Sequence, residues 1–152
     1  MSLIENDNSV IQTIISQIEP NVMLHQIVKP KNSSPGRINV SPDDESLQVA
    51  HIGLKLNQTF KAHKHVIHNR NMPMAQESWV VISGKVKVFH YDLDDKIINE
   101  SILFPGDCTI TYRGGHNYLA LEDNTFVYEI KTGPYHGVEN DKTFIKTNVI
   151  NL

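Results

Sequence analysis

Two histidines stand two positions apart, at His63 and His65, and a carboxylate follows them at Glu77. Side chains of an extended chain alternate between its two faces, so both imidazoles would project to the same side, with their Cα atoms roughly 6.6 Å apart. On a helix the same two side chains would diverge by about 200°. Two imidazoles and one carboxylate are a recurrent ligand set for first-row transition metals. The pattern therefore predicts a metal site, provided that the segment carrying the histidines is a strand.

Composition narrows the class of protein. The 152 residues carry a net charge of −3 and no block of basic residues, which argues against nucleic acid or a membrane as a partner. Cys108 is the only cysteine, which excludes an internal disulfide and fits a reducing compartment. Residues 1–9 lack the layout of a signal peptide, and no apolar run is long enough to span a bilayer. We expect one soluble, cytoplasmic domain.

Residues 1–46 are predicted to form an N-terminal extension of helix, strand and loop. Apolar residues recur at helical spacing before Pro20, which predicts a short helix. These residues are Val10, Ile11, Ile14, Ile15 and Ile18. A strand is expected over 22–28, and a loop rich in Pro, Ser, Asn and Gly over 29–44.

From residue 47 onward the pattern is that of short strands separated by turn residues. The predicted strands cover 47–56, 60–65, 77–82, 85–91, 96–104, 108–112, 116–121 and 125–131. Such regular spacing is typical of an all-β sandwich or barrel. We assign residues 47–135 to a β-barrel and residues 136–152 to a C-terminal tail.

In this region the chain resembles the cupin superfamily. The first motif of that family reads H-x-H, a gap, then E-x6-G, and the gap is longer here than is usual. The matching residues are His63, His65, Glu77 and Gly84. The second motif resembles a P-G-D turn followed by a histidine, here Pro105-Gly106-Asp107 and His116. The resemblance covers about residues 47–131.

The resemblance implies a cupin-type jelly-roll β-barrel, also called a double-stranded β-helix, preceded by the short N-terminal helix. It implies a site for one divalent transition metal (Fe, Mn, Ni or Zn). Its ligand candidates are His63, His65, Glu77 and His116. A homodimer is a further expectation, because dimers are common in this fold.

Other side chains are candidates for lining a ligand pocket. Trp79 lies two residues after Glu77, so a strand would place both on one face. His68 follows His65 within the longer gap. The remaining candidates are polar or aromatic residues expected near the barrel mouth, namely Arg70, Gln76, Tyr128 and Lys131.

Several remaining residues are expected to be structural. His25, His51, His90 and His136 have no partner at ligand spacing. Cys108 enters a predicted strand after a turn, so we expect a buried thiol and not a nucleophile.

The function expected from the resemblance is that of a metal-dependent enzyme acting on a small polar metabolite. Isomerisation or epimerisation of a sugar or hydroxy-carbonyl compound is the first hypothesis, with a metal-free epimerase that uses His63 or His65 as its base as a variant. An Fe-dependent dioxygenase is the main alternative among enzymes. A non-catalytic small-molecule-binding module and a barrel with a vestigial site are alternatives of other classes. No catalytic residue is assigned by these patterns.

Overall fold

The computed structural model describes residues 2–5, 9–30, 35–61, 63–65, 72–134 and 136–146. These ranges contain the strands β1 (Ser2–Glu5), β2 (Ser9–Ile15), β3 (Met23–Pro30), β4 (Gly36–Asn39), β5 (Ala50–Gly53), β6 (Glu77–Ser83), β7 (Val86–Tyr91), β8 (Ile97–Leu103), β9 (Cys108–Thr111), β10 (Gly115–Ala120) and β11 (Phe126–Lys131). They also contain one short helix, α1 (Val138–Asp141). No helix in these ranges has the length and apolar character needed to cross a membrane.

The strands pair into three antiparallel sheets. The largest has the order β1-β2-β3-β9-β6-β11, the second β10-β7-β8, and the smallest β4-β5. After β6 the chain alternates between the two larger sheets. β7 and β8 lie in the second sheet, β9 in the first, β10 in the second and β11 in the first. The prediction of an all-β fold is confirmed.

Gly84 lies in the turn that connects β6 to β7. Its φ of 77° lies in the left-handed region that glycine adopts without strain. A Cβ at this position would lie 2.7 Å from the Cα of Thr125. The glycine at the end of the E-x6-G spacing is therefore required by its backbone conformation and by the close approach of Thr125.

The core has two layers, one on each face of the six-stranded sheet. The layer between the two larger sheets consists of Ile14, Ile27, Val81, Val86, Val88 and Leu103. The layer on the opposite face consists of Ile11, Val28, Val40, Leu47, Cys108, Ile110 and Tyr112. The expectation that Cys108 is a buried thiol is confirmed, and burial raises the pKa of this thiol.

The predicted N-terminal helix is wrong. Residues 9–15 form β2, which pairs with β3 over its whole length. Ile11 belongs to one core layer and Ile14 to the other, so both faces of this strand are buried. A strand that is buried on both faces does not need alternating apolar residues, and such a run is easily mistaken for a helical stripe.

The predicted strand through the two histidines is also wrong. Residues 63–65 lie outside the strands that the structure describes, and both histidine side chains are exposed. The strand predicted over 47–56 is reduced to β5, and residues 54–61 are exposed throughout. Without a buried face, apolar alternation in this stretch has nothing to pack against and does not stabilise a strand.

Candidate functional site

A cavity of about 640 Å³ lies between the two larger sheets. Its walls come from β6, β10 and β11, from the turn before β10, and from the C-terminal residues 141–145. Glu77, Trp79, His116, Tyr118 and Lys131 are among the lining residues. A cavity of this volume is suited to one small molecule.

Glu77 and His116 meet across this cavity. Glu77 begins β6 in the six-stranded sheet and His116 lies on β10 in the three-stranded sheet. The Nε2 atom of His116 lies 3.1 Å from the Oε1 atom of Glu77. The indole Nε1 of Trp79 donates a hydrogen bond of 3.0 Å to the same oxygen. The pair therefore joins the two sheets, and its geometry depends on how they pack.

Glu77 is held in its charged form. Burial opposes this charge, but the hydrogen bond from His116, the charges of His116 and Lys142, and the hydrogen bond from Trp79 outweigh it and hold the pKa of Glu77 below its ordinary value. A carboxylate can only accept hydrogen bonds, so the Nε2 atom of His116 carries the proton between them. In the neutral imidazole the lone pair is then on Nδ1.

Three residues that line the cavity each carry one buried polar atom without a hydrogen-bond partner. These atoms are the hydroxyl of Tyr91, the Nδ1 atom of His116 and the hydroxyl of Tyr118, and no other side-chain atom in the described ranges is in this situation. An unpaired buried polar group costs about 1–3 kcal/mol, so folded proteins pair such groups with protein, water or a ligand. Three buried groups beside the cavity therefore have unused hydrogen-bonding capacity.

Tyr118 is a site residue that the patterns missed. Its ring stacks on that of Trp79 with centroids 3.7 Å apart and 12° between the planes. Burial raises the pKa of Tyr118 well above its ordinary value, so its hydroxyl stays protonated and can donate. The signal was present, because Tyr118 follows His116 by two residues on a strand, as Trp79 follows Glu77.

His25 and His90 form a buried pair behind the site. Their ring centroids are 4.4 Å apart. The ring nitrogens of His25 contact the Tyr91 carbonyl oxygen and the Thr111 hydroxyl, both at 3.1 Å. Those of His90 contact the Thr109 hydroxyl at 2.9 Å and Asn99 at 3.1 Å. Both rings have their hydrogen bonds satisfied, as expected of structural histidines.

Two of the four predicted metal ligands meet in the structure, and the other two do not join them. The rings of His63 and His65 are 5.3 Å apart on their exposed segment, where His63 hydrogen-bonds the carbonyl oxygen of Lys61 at 2.9 Å. Within the described ranges, no three side chains of His, Cys, Asp or Glu are placed to hold one metal ion.

Glu77 and His116 nevertheless fit two neighbouring positions on one ion. Ligand atoms about 2.1 Å from a metal and at right angles to each other are about 3 Å apart. The 3.1 Å between Oε1 and Nε2 matches this spacing, and an ion there would displace the proton that Nε2 carries in the hydrogen bond. Protein metal sites hold their ion with three or more side chains, so the pair would need a further ligand.

The other predicted pocket residues divide between two sides of the sheet. Lys131 lines the cavity together with Trp79. Gln76 is buried on the opposite side, where it bonds Glu45 and lines a separate cavity of about 280 Å³. Tyr128 lies on the outer face of β11 and is 58% exposed. This division follows strand alternation, which sends neighbouring side chains to opposite faces. His68 and Arg70 lie outside the described residues.

The C-terminal segment forms one wall of the cavity and is held there by side chains. Lys131 donates a hydrogen bond of 3.1 Å to Asp141, and both side chains are largely buried. Ile145 packs so closely on Gly115 that a Cβ there would overlap with its Cδ1 atom. The segment from 141 to 145 therefore limits access to Glu77 and His116.

Replacing Asp141 by Asn is expected to loosen this segment, because it removes the charge that binds Lys131. Trypsin should then cleave after Lys142 about threefold to tenfold faster, since a partly exposed ion pair contributes roughly 1 kcal/mol to keeping a segment docked. Digestion followed by mass spectrometry measures this rate. Glu139→Gln, an exposed neighbour on the same segment, should leave the rate unchanged, and equal acceleration in both variants would contradict the role of the ion pair.

Comparison with known proteins adds no family assignment. The chain matched no protein-family model, no curated protein and no solved structure.

Proposed function

We propose that this protein binds a small polar metabolite in the cavity and transfers a proton on it, as an isomerase or epimerase of a sugar or related hydroxy-carbonyl compound. The observation that supports this best is the contact of 3.1 Å between Glu77 and His116 at the cavity wall. A carboxylate and an imidazole in contact suit a polar compound, because both can hydrogen-bond its oxygen-bound groups.

Glu77 and His116 act as the acid–base pair in this proposal. Once the cavity wall opens to its buried Nδ1 atom, His116 takes a proton from a carbon beside a carbonyl group, which leaves an enediolate. The charge of Glu77 stabilises the imidazolium that forms, because the two groups are 3.1 Å apart. Return of the proton to the former carbonyl carbon, with the proton of the adjacent hydroxyl group moving to the first oxygen, completes an isomerisation; an epimerisation instead needs a proton delivered to the original carbon from its opposite face. The same opening of the wall lets the buried hydroxyl of Tyr118 donate to the oxygen where charge develops.

The strand pairing is consistent with a jelly roll of the cupin kind, which we include in the proposal. β7 and β8 form a hairpin, and β6 and β9 continue it as neighbours in the other large sheet. β10 then pairs with β7 and β11 with β6, so the chain follows the same path a second time. A double-stranded β-helix has this path. It places the two motif residues Glu77 and His116 on facing strands.

A metal-assisted reaction is the second candidate, because the spacing of Glu77 and His116 fits neighbouring positions on one ion. His63 and His65 are the residues that would complete the set, by moving from their exposed segment to the cavity. A divalent ion bound there would polarise a carbonyl group of the substrate. Glu77 and His116 would then position this ion and would not carry the proton themselves.

Hydrogen exchange tests the proposal without knowledge of the full reaction. The protein is incubated in D₂O with a panel of aldoses, ketoses and hydroxy acids, and NMR follows the loss of the C–H signal beside the carbonyl group. The wild type should exchange this hydrogen in at least one compound. His116→Gln and Glu77→Gln should each slow exchange by at least about 100-fold, the usual contribution of a general acid or base.

His136→Gln is the matched control, because this histidine is exposed and lies outside the cavity. Its exchange rate should equal that of the wild type. Exchange that requires added Mn²⁺ or Zn²⁺ and is lost in His63→Ala would favour the metal-assisted reaction. A compound that raises the melting temperature without exchanging would contradict an enzyme and indicate a binding module.

A further inference from the structure

The two carboxylate oxygens of Glu77 have different surroundings. Oε1 accepts hydrogen bonds from the indole Nε1 of Trp79, at 3.0 Å, and from the Nε2 atom of His116, at 3.1 Å. A carboxylate oxygen has about two lone pairs, so these two donors saturate Oε1. Oε2 accepts no hydrogen bond from any residue that the structure describes, and it is not one of the buried unpaired atoms. Because Glu77 lines the cavity, Oε2 is the oxygen that remains for a ligand there.

Trp79 is a rigid donor, because both large sheets hold its ring. It lies on β6, and its ring stacks on that of Tyr118 on β10, with centroids 3.7 Å apart and 12° between the planes. The indole N–H can only donate a hydrogen bond. Glu77 and Trp79 are two residues apart on one strand, so both side chains point to the same side. A donor fixed in this way determines the orientation of the more flexible carboxylate beside it.

The stacked rings and the acid–base pair lie side by side between the sheets. On β10, the ring centroids of His116 and Tyr118 are 5.2 Å apart. Glu77 meets His116 across the cavity, and beside this contact Trp79 stacks on Tyr118. The stacked rings carry no charge, so a proton that moves onto or off His116 does not break their contact. The indole therefore stays in place while the neighbouring pair changes its charge.

We propose that Trp79 is the positioning residue of the site, and that the Oε2 atom of Glu77 accepts a hydrogen bond from a hydroxyl group of the ligand. The ligand part of this inference rests on the proposed function, whereas the role of Trp79 does not. An ionised carboxylate has no hydrogen to donate. A hydroxyl group can therefore pair with Oε2, but an ether, carbonyl or carboxylate oxygen at that point would be left without a hydrogen bond. The site thus selects a hydroxylated compound.

Replacing the indole N–H by sulfur tests the role of Trp79. Trp79 is the only tryptophan in the chain, so production of the protein with benzothienylalanine in place of tryptophan changes this position alone. The sulfur analogue keeps the size of the ring and its stacking, but it has no hydrogen to donate. NMR of isotope-labelled glutamate carboxyl groups then follows the charge of Glu77 across pH. The signal of Glu77 is assigned as the one that is missing in Glu77→Gln.

The pKa of Glu77 should rise in the sulfur analogue. Burial raises the pKa of Glu77, whereas the contacts with His116 and Lys142 lower it, and the hydrogen bond from Trp79 lowers it as well. Without that hydrogen bond the charged carboxylate is less favoured, so the pKa moves up. Protein made with a fluorinated tryptophan, which keeps the N–H, is the matched control and should titrate like the wild type. An unchanged pKa in the sulfur analogue would overturn the positioning role.

A loss of ligand preference tests the role of Oε2. The probes are the aldoses and ketoses of the exchange panel and their O-methyl ethers, and the melting temperature at increasing concentrations of each compound gives its affinity. The wild type should bind at least one parent compound about tenfold or more tightly than one of its ethers, the usual effect of a hydrogen bond to a charged group.

Glu77→Gln should abolish this preference. The amide oxygen takes the place of Oε1, because Trp79 and His116 both donate to it, so the amide nitrogen replaces Oε2. This nitrogen can donate to an ether as well as to a hydroxyl group. A preference that persists in Glu77→Gln would reflect only the size of the methyl group and would overturn the acceptor role.

The two experiments separate this inference from the proposed function. Hydrogen exchange by the wild type, together with an unchanged pKa of Glu77 in the sulfur analogue, would support the proposed function and overturn the role of Trp79. If no compound of the panel raises the melting temperature, the acceptor role and the proposed function are both contradicted, and the titration of Glu77 still decides the role of Trp79. Circular dichroism checks the folding of each protein, and Trp79→Phe, which also lacks the N–H, replaces the sulfur analogue if that protein does not fold.

Discussion

Acidification from pH 6.5 to pH 4 will lower the free energy of unfolding by about 3 kcal/mol, because neutral histidines are buried in the core. Burial lowers the pKa of His25 to about 4 from an ordinary value of 6.5. Burial also holds the pKa of His90 well below its ordinary value. In this pH window the unfolded chain binds protons that the folded chain does not bind. Stability is therefore complete above pH 6.5 and is lost as the pH falls towards 4.

Urea unfolding at steps of pH across this window measures the loss. In His25→Gln the amide can still donate to the Tyr91 carbonyl oxygen, which His25 contacts at 3.1 Å, but it does not titrate. The variant should be less stable at neutral pH, because the packing changes, yet its stability should fall less steeply with acid than that of the wild type, with His90 accounting for the slope that remains. His136→Gln replaces an exposed histidine and should keep the wild-type slope. A flat wild-type curve, or equal slopes in wild type and His25→Gln, would contradict this account.

The strands after residue 77 could be predicted from the sequence because their signals are local. Turn residues bound each of them, and the strand predicted over 85–91 matches β7 (Val86–Tyr91) closely. The N-terminal segment could not be predicted in the same way. Ile11 and Ile14 are both buried because the six-stranded sheet is covered on both faces. That cover depends on residues far away in the chain, such as Val40 and Leu47, which leave no mark in the local pattern.

For the candidate site, too, local features could be predicted from the sequence, and contacts between distant strands could not. The alternation of side chains along a strand puts Trp79 with Glu77 and Tyr118 with His116, and this can be read from the sequence. The meeting of Glu77 with His116 depends on the packing of two sheets, which spacing does not encode. The resemblance to cupins anticipated this meeting, whereas the geometry of the residues alone supported only His63 and His65. The contact of Asp141 with Lys131 could not be predicted, because the C-terminal tail has no periodic pattern.

Replacing Gly84 by Ala will destabilise the fold by about 2–6 kcal/mol, because two separate costs add at this position. The φ of 77° strains any residue with a side chain, at about 1–3 kcal/mol. The new Cβ would also stand 2.7 Å from the Cα of Thr125, a backbone atom that cannot move aside alone. Overpacking of this kind costs about 1–3 kcal/mol more. Denaturant unfolding measures the sum. Because Gly84 directly follows β6, the strand that begins at Glu77, the substitution should also disturb the cavity.

Gly106→Ala separates the two costs. Gly106 has a φ of 90°, so the strain is of the same kind, but a Cβ there would come only within 4.0 Å of Pro30. This variant should therefore lose about 1–3 kcal/mol from strain alone, and its difference from Gly84→Ala is the cost of the contact with Thr125. If the close approach of Thr125 fixes the passage from β6 into β7, Gly84→Ala must be the more damaging change. Equal losses in the two variants would mean that the chain relaxes around the new methyl group, and that the E-x6-G spacing reflects backbone conformation only.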